Sequence, residues 1–221
     1  MARMNYKLPN NLQIIGISGH ARSGKDSLCQ MLYSTYTDTY SEAMAAPLKL
    51  ACADMFGIPS ADFNDPIRKE EINPYWKVSP RMIAQFIGTE FFRDQIWKLL
   101  PADQGNFLVR RMFGRLSTLQ QHEEDGSYEE GDTVVIPDIR FQEEVDFIND
   151  NNGVHIHLSR GAATGEVGIP GHGSEALNFE LEGERTYALT NNGTLEYLFG
   201  RVRVIVAARL NLTPYSISES L

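Results

Sequence analysis

A nine-residue loop near the start of the chain, GHARSGKDS from Gly19 to Ser27, constrains the fold more than any other feature. It follows an apolar run rich in β-branched residues, LQIIGIS, and precedes LCQMLYSTY, which has apolar residues at helical spacing. The order is therefore a strand, a tight loop and a helix. In this context the pattern GxxxxGK indicates a loop that binds phosphate groups, and a chance match becomes a poor explanation.

Two glycines and a lysine explain the chemistry of this loop. Gly19 and Gly24 allow backbone conformations that direct consecutive N–H groups towards phosphate oxygens. We include Arg22 and Ser23 among the residues that surround the phosphates. The helix that begins near Lys25 adds the positive end of its dipole, and the lysine would bridge the β- and γ-phosphates of a nucleotide. The loop therefore predicts nucleotide binding; the alternative is a glycine-rich turn that serves packing alone.

Asp26 departs from the usual pattern, because a Ser or Thr at this position commonly supplies a magnesium ligand. Ser27 follows directly, and we expect its hydroxyl to reach a phosphate or the hydrated Mg²⁺ instead. We retain Asp26 as a cofactor-binding residue, with the alternative that it only favours the N-terminus of the helix.

Composition limits the class of protein. The 221 residues are 42% hydrophobic and 22% charged, which suits one globular domain over residues 1–221. The formal net charge of −9 disfavours nonspecific binding of nucleic acid. No apolar run reaches the roughly 20 residues that cross a bilayer, and the N-terminus lacks the apolar segment of a signal peptide. We therefore expect a cytoplasmic protein without nucleic-acid or membrane partners, with its few arginines gathered in one cleft.

Apolar runs alternate with helical patterns along the rest of the chain. TVVIP, VHIHLS and YALTN predict strands, whereas DIRFQEEVDFINDNN and TLEYLFGRVRVIVAARL predict helices. This alternation predicts an α/β fold of three layers, in which a parallel sheet carries helices on both faces. The acidic segment 122–132 predicts a solvated loop, and the glycine-rich segment 161–173 predicts a flexible lid.

The middle of the chain predicts further helices. RMIAQFIG and TEFFRDQIWKLL suggest two helices broken near Gly88, and FLVRRMFGRLSTLQQ suggests a third, amphipathic one. In the first helix Ile83 and Phe86 form the buried side. Arg81 and Gln85 share the opposite side, where the guanidinium suits a monophosphate and the amide suits a base edge. The alternative is an ordinary solvated helix face.

Asp138 comes directly after the VVIP run, at the carboxyl end of a predicted strand, where open parallel sheets bind their ligands. We expect it to face the Lys25 loop and either to bind magnesium through water or to contact a second substrate. Arg140 and Glu144 are four residues apart and would share one helical face. The alternative for these side chains is a surface ion pair plus a capping aspartate.

Seven short motifs occur in an order that is specific as a set. They are GHARSGKDS, APLK from Ala46, RMIAQFIGTE from Arg81, Trp97, PDIRFQEE from Pro137, HGSE from His172 and LTNNGTLEYL from Leu189. In this order they resemble the deoxynucleoside monophosphate kinases of tailed bacteriophages, over residues 14–205. The GKD departure in the loop also recurs in that family.

The resemblance implies an adenylate-kinase-like P-loop fold, with ATP and Mg²⁺ as cofactors and a deoxynucleoside 5'-monophosphate as acceptor. It implies a monophosphate-binding helical insertion at 58–132 and a lid-like segment at 160–185. For a phage-encoded protein the location would be the host cytoplasm. The residues implied at the acceptor are Leu48, Lys49, Arg81, Gly88, Thr89, Trp97, Asp138, Arg140 and Glu144. We add Gln85 from its position on the helix. Arg68, Lys69 or Lys77 would replace a family arginine, and we choose Lys69.

We predict Lys25, Asp138 and Arg160 as the catalytic residues, with Ser27 and Asp138 at the metal. Arg160 and Arg185 flank the lid, and each either approaches the ATP phosphates or lies solvated at a strand end. Two other functions stay open: a dephospho-coenzyme A kinase on the same scaffold, and a P-loop ATPase or switch without kinase activity. The oligomeric state is also open, with a homodimer among the alternatives.

Overall fold

The computed structural model describes residues 6–8, 12–100, 107–119, 131–161, 179, 181 and 183–214. Most of the predicted acidic loop and most of the lid-like segment, including the HGSE motif, lie outside the described residues.

One parallel sheet of five strands forms the centre of the protein, in the order β2-β3-β1-β4-β5. The strands are β1 (Gln13–Gly19), β2 (Thr39–Ser41), β3 (Thr133–Ile139), β4 (Val154–Ser159) and β5 (Thr186–Thr190). The central strand β1 pairs with β3 on one side and with β4 on the other. The predicted α/β class with a parallel sheet is confirmed. Because the carboxyl ends of parallel strands meet at one edge, the loops after β1 and β3 lie side by side.

Helices cover both faces of this sheet. The α-helices of the described residues are α1 (Lys25–Thr35), α2 (Ala46–Phe56), α3 (Pro80–Phe86), α4 (Phe107–Leu119), α5 (Gln142–Asp150) and α6 (Leu195–Arg209). Buried residues of α1 and α6 pack with Ile15 and Ile17 of β1. Those of α4 and α5 pack on the other face, with Ile14 and Val134. The described helices are all too short or too polar to cross a bilayer.

Both faces of β1 are therefore buried, which explains its unbroken apolar sequence. Gly16 of this strand lies at a point where α5 approaches the sheet closely. A Cβ atom on Gly16 would lie 2.0 Å from Cδ1 of Ile148. A glycine inside a strand commonly indicates such a close approach.

The chain between β2 and β3 builds a separate hydrophobic cluster. It consists of Leu48, Cys52, Ala53, Ile58, Phe63 and Ile83, contributed by α2, α3 and the segment between them. Because the cluster includes residues of α2, this helix packs against the chain from residue 58 onward. Phe86 was predicted to share the buried side of α3, and this is wrong, since the side chain is 58% exposed. The small cluster covers only a narrow face of the helix.

The predicted break at Gly88 is also wrong. After α3 the chain continues through one π-helical turn, Ile87–Phe91. A Cβ atom on Gly88 would lie 2.9 Å from Cδ2 of Leu48, so the glycine serves close packing against α2.

The second helix predicted in this region does not form, and Trp97 supplies a physical reason. Its indole N–H donates to the carbonyl oxygen of Asp94 at 2.7 Å. In an α-helix that oxygen would accept from Lys98 N–H. Lys98 N–H donates instead to Gln95 at 3.0 Å, and only a short 3₁₀ turn remains at Ile96–Lys98.

Candidate active site

The loop between β1 and α1 has a backbone that requires glycine. Gly19 has a φ of 142° and Gly24 a φ of 102°, both in the region that side chains disfavour. Gly24 is also the N-cap of α1, which places Lys25 as the first residue of the helix. Space is a second constraint, because a Cβ atom on Gly24 would lie 2.5 Å from Nδ2 of Asn191. Arg22, with a φ of 64°, completes the sharp turn.

Lys25 lies over this loop and reaches the end of β3. Its Nζ donates to the carbonyl oxygens of Gly19 at 2.6 Å and His20 at 3.0 Å. The same atom lies 3.7 Å from Oδ1 of Asp138, and the lysine side chain is only 12% exposed. The ammonium group is therefore held between the loop and the carboxyl end of the neighbouring strand.

A bulge in β3 explains how Asp138 reaches this position. Gly16 of β1 pairs with Ile136, but Ser18 pairs with Ile139, so two residues of β3 oppose one of β1. Within the bulge Asp138 adopts a φ of 66°. Bulges of this kind re-aim side chains, and they occur often beside active sites. β3 thus continues past the predicted VVIP run, and Asp138 lies in the bulge, one residue before the strand ends.

The Asp138 carboxylate is surrounded by cations. Arg140 donates to its Oδ2 from Nε at 3.1 Å and from a terminal nitrogen at 2.9 Å. Burial opposes ionisation of this group, but Arg140, Lys25 and Lys49 outweigh burial and hold the pKa of the carboxyl below its ordinary value. Asp138 is therefore negatively charged at neutral pH and orients the two flanking cations.

Four basic side chains from separate elements form a positive cluster here, which we call the cationic cluster: Lys49, Lys69, Arg81 and Arg140. Burial lowers the pKa of Lys49 in spite of Asp138, and Lys69, Arg140 and Arg81 lower it further by repulsion. Repulsion of this kind on Lys49 is relieved by a negative charge placed nearby. The cluster therefore suits a phosphate group.

Within the cationic cluster, two members besides Arg140 have partners on the protein. Lys49 Nζ donates to Oδ1 of Asn64 at 3.0 Å. Arg81 pairs with Glu70 at 2.9 Å, and its side chain is 13% exposed. The alternative interpretation placed Arg81 on a solvated helix face. The low exposure of its side chain contradicts that alternative.

The other predicted acceptor residues belong to α2 and to the chain from α3 to residue 97. Leu48 is buried and faces Gly88. The carbonyl oxygen of Thr89 accepts hydrogen bonds from two later backbone N–H groups. Gln85 is partly exposed on α3, and Trp97 is 41% exposed. Their contact with an acceptor stays a prediction.

Glu144 has a structural role that the sequence did not predict. Its Oε2 accepts hydrogen bonds from the backbone N–H groups of Arg140 at 2.7 Å and Phe141 at 3.3 Å. The side chain is buried and caps the start of α5. Burial raises the pKa of Glu144 to about 7 despite these two hydrogen bonds. The geometry thus favours a role in shaping the Arg140 loop over direct contact with a substrate.

On the other side of the phosphate loop, Arg160 lies at the end of β4. Its guanidinium donates to the carbonyl oxygens of Asn191 at 3.2 Å and Arg22 at 3.4 Å. A cavity of ≈ 370 Å³ adjoins it and is lined by Arg160, Gly161, Asn191, Asn192 and Gly193. Arg185 lies elsewhere. It precedes β5 and donates to Asn152 O at 2.8 Å, at the amino-terminal edge of the sheet, which favours the alternative of a residue at a strand end.

Sequence reasoning missed two residues of this region, Asn191 and Arg93. Asn191 had a usable signal, since it is a polar residue directly after an apolar strand, like Asp138. Arg93 had none. Its guanidinium lies 3.7 Å from the centroid of the Phe141 ring and 3.0 Å from Oε1 of Glu143, and thereby joins the segment after α3 to α5.

A viral protein resembles the chain over most of its length. It comes from Acanthamoeba polyphaga mimivirus and is named "Putative deoxynucleotide monophosphate kinase". The two are 28% identical over 196 residues, which cover 86% of this chain and 93% of the viral protein. No protein-family model matches the chain. At this identity the likeness supports a nucleotide kinase, and the substrate has to be inferred from the site.

Proposed function

We propose that the protein transfers the γ-phosphate of ATP to a deoxynucleoside 5'-monophosphate, giving ADP and the diphosphate. The observation that carries the proposal is the 3.7 Å approach of Lys25 to Asp138, at the point where the glycine-rich loop meets the cationic cluster. A donor bound to the loop and an acceptor bound to the cluster would bring their phosphates together there. The name of the mimivirus relative supports the choice of acceptor.

The donor side consists of the loop Gly19–Ser27 and Arg160. The backbone N–H groups of the loop and the dipole of α1 bind the phosphates. Lys25 leaves its two carbonyl partners and pairs with the β- and γ-phosphates. The cavity beside Arg160 offers room for the nucleoside of ATP. The segment 160–185 acts as a lid that excludes water during transfer.

The acceptor side consists of the cationic cluster and the insertion at 58–132. Arg81 and Arg140 present guanidinium groups, which match the geometry of a phosphate dianion. Lys49 and Lys69 add charge that the folded protein neutralises only in part. The nucleoside binds among Leu48, Gln85, Gly88, Thr89 and Trp97. This arrangement explains how an acidic protein binds two anions, because its basic residues are gathered locally.

Catalysis on this proposal is alignment and charge neutralisation. Phosphoryl transfer passes through a loose transition state, in which the acceptor phosphate needs no strong base. Lys25 and Arg160 stabilise the charge that develops on the transferred group. Asp138 keeps Lys25 and Arg140 in place between the two substrates, as its contacts with both cations indicate.

The residues present are compatible with Mg²⁺. The Ser27 hydroxyl and the Asp138 carboxylate supply the oxygen ligands that this ion prefers. The described residues contain no cluster of three or more His, Cys, Asp or Glu able to hold a metal, so the nucleotide phosphates and water would provide most ligands, as is usual for Mg²⁺ in kinases. When bound with ATP, the ion neutralises phosphate charge.

A coupled assay with ATP, Mg²⁺ and a panel of ribo- and deoxyribonucleoside monophosphates tests the proposal. We expect ADP release that depends on a deoxynucleoside monophosphate. Lys25→Met removes the ammonium at the phosphates and should lower turnover by about 10³-fold. Lys7→Met, at an exposed lysine outside the site, is the matched control.

Three outcomes would contradict the proposal. Near-normal turnover by Lys25→Met would remove the loop from catalysis. ATP hydrolysis that is independent of any monophosphate would indicate an ATPase or switch. Phosphorylation of dephospho-coenzyme A, with no activity on the panel, would indicate the other small-molecule kinase considered above.

A further inference from the structure

The phosphate loop is bound to a residue far along the chain. Nδ2 of Asn191 donates a hydrogen bond of 2.9 Å to the carbonyl oxygen of Ser23, 168 positions earlier. Asn191 and Ser23 are each 1% exposed. A hydrogen bond shielded from water in this way is electrostatically strong, and the groups that make it are costly to leave unpaired.

Asn191 is itself held by the ends of two strands. It is the first residue after β5, and its backbone N–H donates to Ser159 O of β4 at 2.7 Å. Its carbonyl oxygen accepts from Nε of Arg160 at 3.2 Å. The carboxamide therefore extends into the loop from a rigid edge of the sheet.

This contact controls the direction of a backbone N–H group. A peptide unit is planar and trans, so the carbonyl of one residue and the N–H of the next point in opposite directions. Because Ser23 O is held against Asn191, the N–H of Gly24 is turned to the other side of the loop. Gly24 also lacks the Cβ atom that would collide with Nδ2 of Asn191 at 2.5 Å. The carboxamide and the glycine thus set one peptide orientation together.

Two buried polar atoms at this contact suggest a role beyond stability. Oδ1 of Asn191 and Oγ of Ser23 are buried without a hydrogen-bond partner among the described residues. Folded proteins leave few such groups unsatisfied, and those that occur need a particular explanation. A residue selected only to stabilise the fold would satisfy its carboxamide on both sides. Here only the Nδ2 group of the carboxamide has a hydrogen-bond partner among the described residues, and that partner belongs to the phosphate loop.

We propose that Asn191 is a positioning residue for the donor nucleotide, and that its carboxamide holds the Ser23–Gly24 peptide in the orientation that binds phosphate. This inference rests on the proposed function, because it requires a nucleotide in the loop. It adds a residue that acts on the donor phosphates through the backbone of the loop.

Calorimetric titration with ADP and Mg²⁺ tests the inference directly. Asn191→Asp keeps the size of the side chain but places a carboxylate oxygen against Ser23 O. Asn191→Ala removes the contact. We expect about tenfold weaker ADP binding for each variant. In turnover, KM for ATP should rise while KM for the monophosphate stays within about twofold.

Asn151→Asp is the matched control for stability. Asn151 also joins distant segments through its carboxamide, since Oδ1 accepts from Leu8 N at 2.6 Å and Nδ2 donates to Tyr6 O at 2.9 Å. It lies just before β4, at the edge of the sheet opposite the phosphate loop. We expect a lowered Tm and unchanged ADP affinity.

The outcomes separate the two proposals. If wild-type protein binds ADP and Asn191→Asp loses only Tm, as the control does, Asn191 is structural and the inference is overturned. If wild-type protein does not bind ADP, the proposed function fails and the inference fails with it. If both Asn191 variants fail to fold, hydrogen exchange of wild-type protein decides: ADP should slow exchange of the backbone amides of 188–194, and unchanged exchange would overturn the inference.

Discussion

At the scale of single residues, two carboxylates near the end of β3 have opposite pKa shifts. Burial opposes ionisation of both. At Asp138 three cations outweigh burial and hold the pKa below its ordinary value. At Glu144 only backbone N–H groups oppose it, and burial raises the pKa to about 7. Carboxylates whose environments separate their pKa values in this way serve different purposes. Asp138 orients cations, and Glu144 holds the backbone that carries one of them, Arg140.

The capping role of Glu144 can be measured by unfolding in urea at pH 7. Glu144→Ala leaves two buried N–H groups without an acceptor and should lower the free energy of unfolding by about 2 kcal/mol. Glu144→Gln retains an acceptor oxygen and should lose less than half of that. Glu71→Ala, at an exposed position, is the control for loss of a negative charge. Equal losses for the alanine and glutamine variants would argue against the cap.

At this scale the sequence predicts the residues whose chemistry is local. Gly19, Gly24 and Lys25 belong to one continuous motif, so their arrangement follows from a few backbone angles. The position of Asp138 follows from parallel topology, although the bulge that turns it does not. Asn191 and Arg93 act on partners more than forty residues away, and no local pattern contains that information.

At the scale of elements, a link joins the chain after α3 to α5. Arg93 stacks on Phe141 and pairs with Glu143, and both partners lie at the start of α5. The Arg140 loop immediately precedes this helix. The contacts of Arg93 therefore connect the small hydrophobic cluster to the cationic cluster, and a movement of one would displace the other.

A double-mutant cycle measures this link. Arg93→Ala, Glu143→Gln and the double variant should give a coupling of about 1 kcal/mol in the free energy of unfolding, because the pair is partly buried and stacked on an aromatic ring. Arg68 and Asp62 form an ion pair of 3.2 Å in which the arginine is mostly exposed, and the same cycle there should show no measurable coupling. Similar coupling in both pairs would mean that the ring contributes nothing.

The elements that the sequence predicted well are those with a clear local pattern of apolar residues. Strands β1, β3, β4 and β5 are apolar runs bounded by turns. Helix α5 follows β3, and helix α6 follows β5. The region 87–100 was predicted poorly because one long-range packing contact and one side-chain hydrogen bond overrode the helical pattern. Gly88 resembles a helix breaker in sequence but packs against Leu48, and Trp97 takes a carbonyl that a continuing helix needs.

At the scale of the whole molecule, the sheet buries two polar side chains, Ser18 of β1 and His155 of β4, on neighbouring strands. Oγ of Ser18 is hydrogen-bonded to Nε2 of His155 at 2.8 Å and to Nδ1 of His157 at 2.9 Å. His155 is 0% exposed. Burial, followed by repulsion from His157, lowers the pKa of His155 from 6.5 to about 4. The native state therefore resists protonation of a group that the unfolded chain protonates readily.

This shift predicts how stability depends on pH. Between pH 6.5 and 4 the unfolded chain binds a proton at His155 that the native state excludes, so the free energy of unfolding falls as pH falls. Glu144 acts in the opposite sense, because the native state binds the extra proton between its ordinary pKa of 4.5 and about 7. Urea unfolding from pH 7.5 to 4.5 should show a shallower acid decline for His155→Gln than for wild type. His20→Gln, at an exposed histidine, should retain the wild-type slope, and identical slopes for all three would refute the assignment.

The hydrogen bond between Asn191 and the loop after β1 also determines when the loop can take up its final conformation during synthesis. The ribosome makes the loop first, and its carboxamide partner follows 168 positions later. A nascent chain that has emerged only as far as β4 already contains every residue of the glycine-rich motif, yet it lacks the contact that orients the Ser23–Gly24 peptide. On the proposed function, the loop becomes competent to bind a nucleotide only after β5 has been made and has docked.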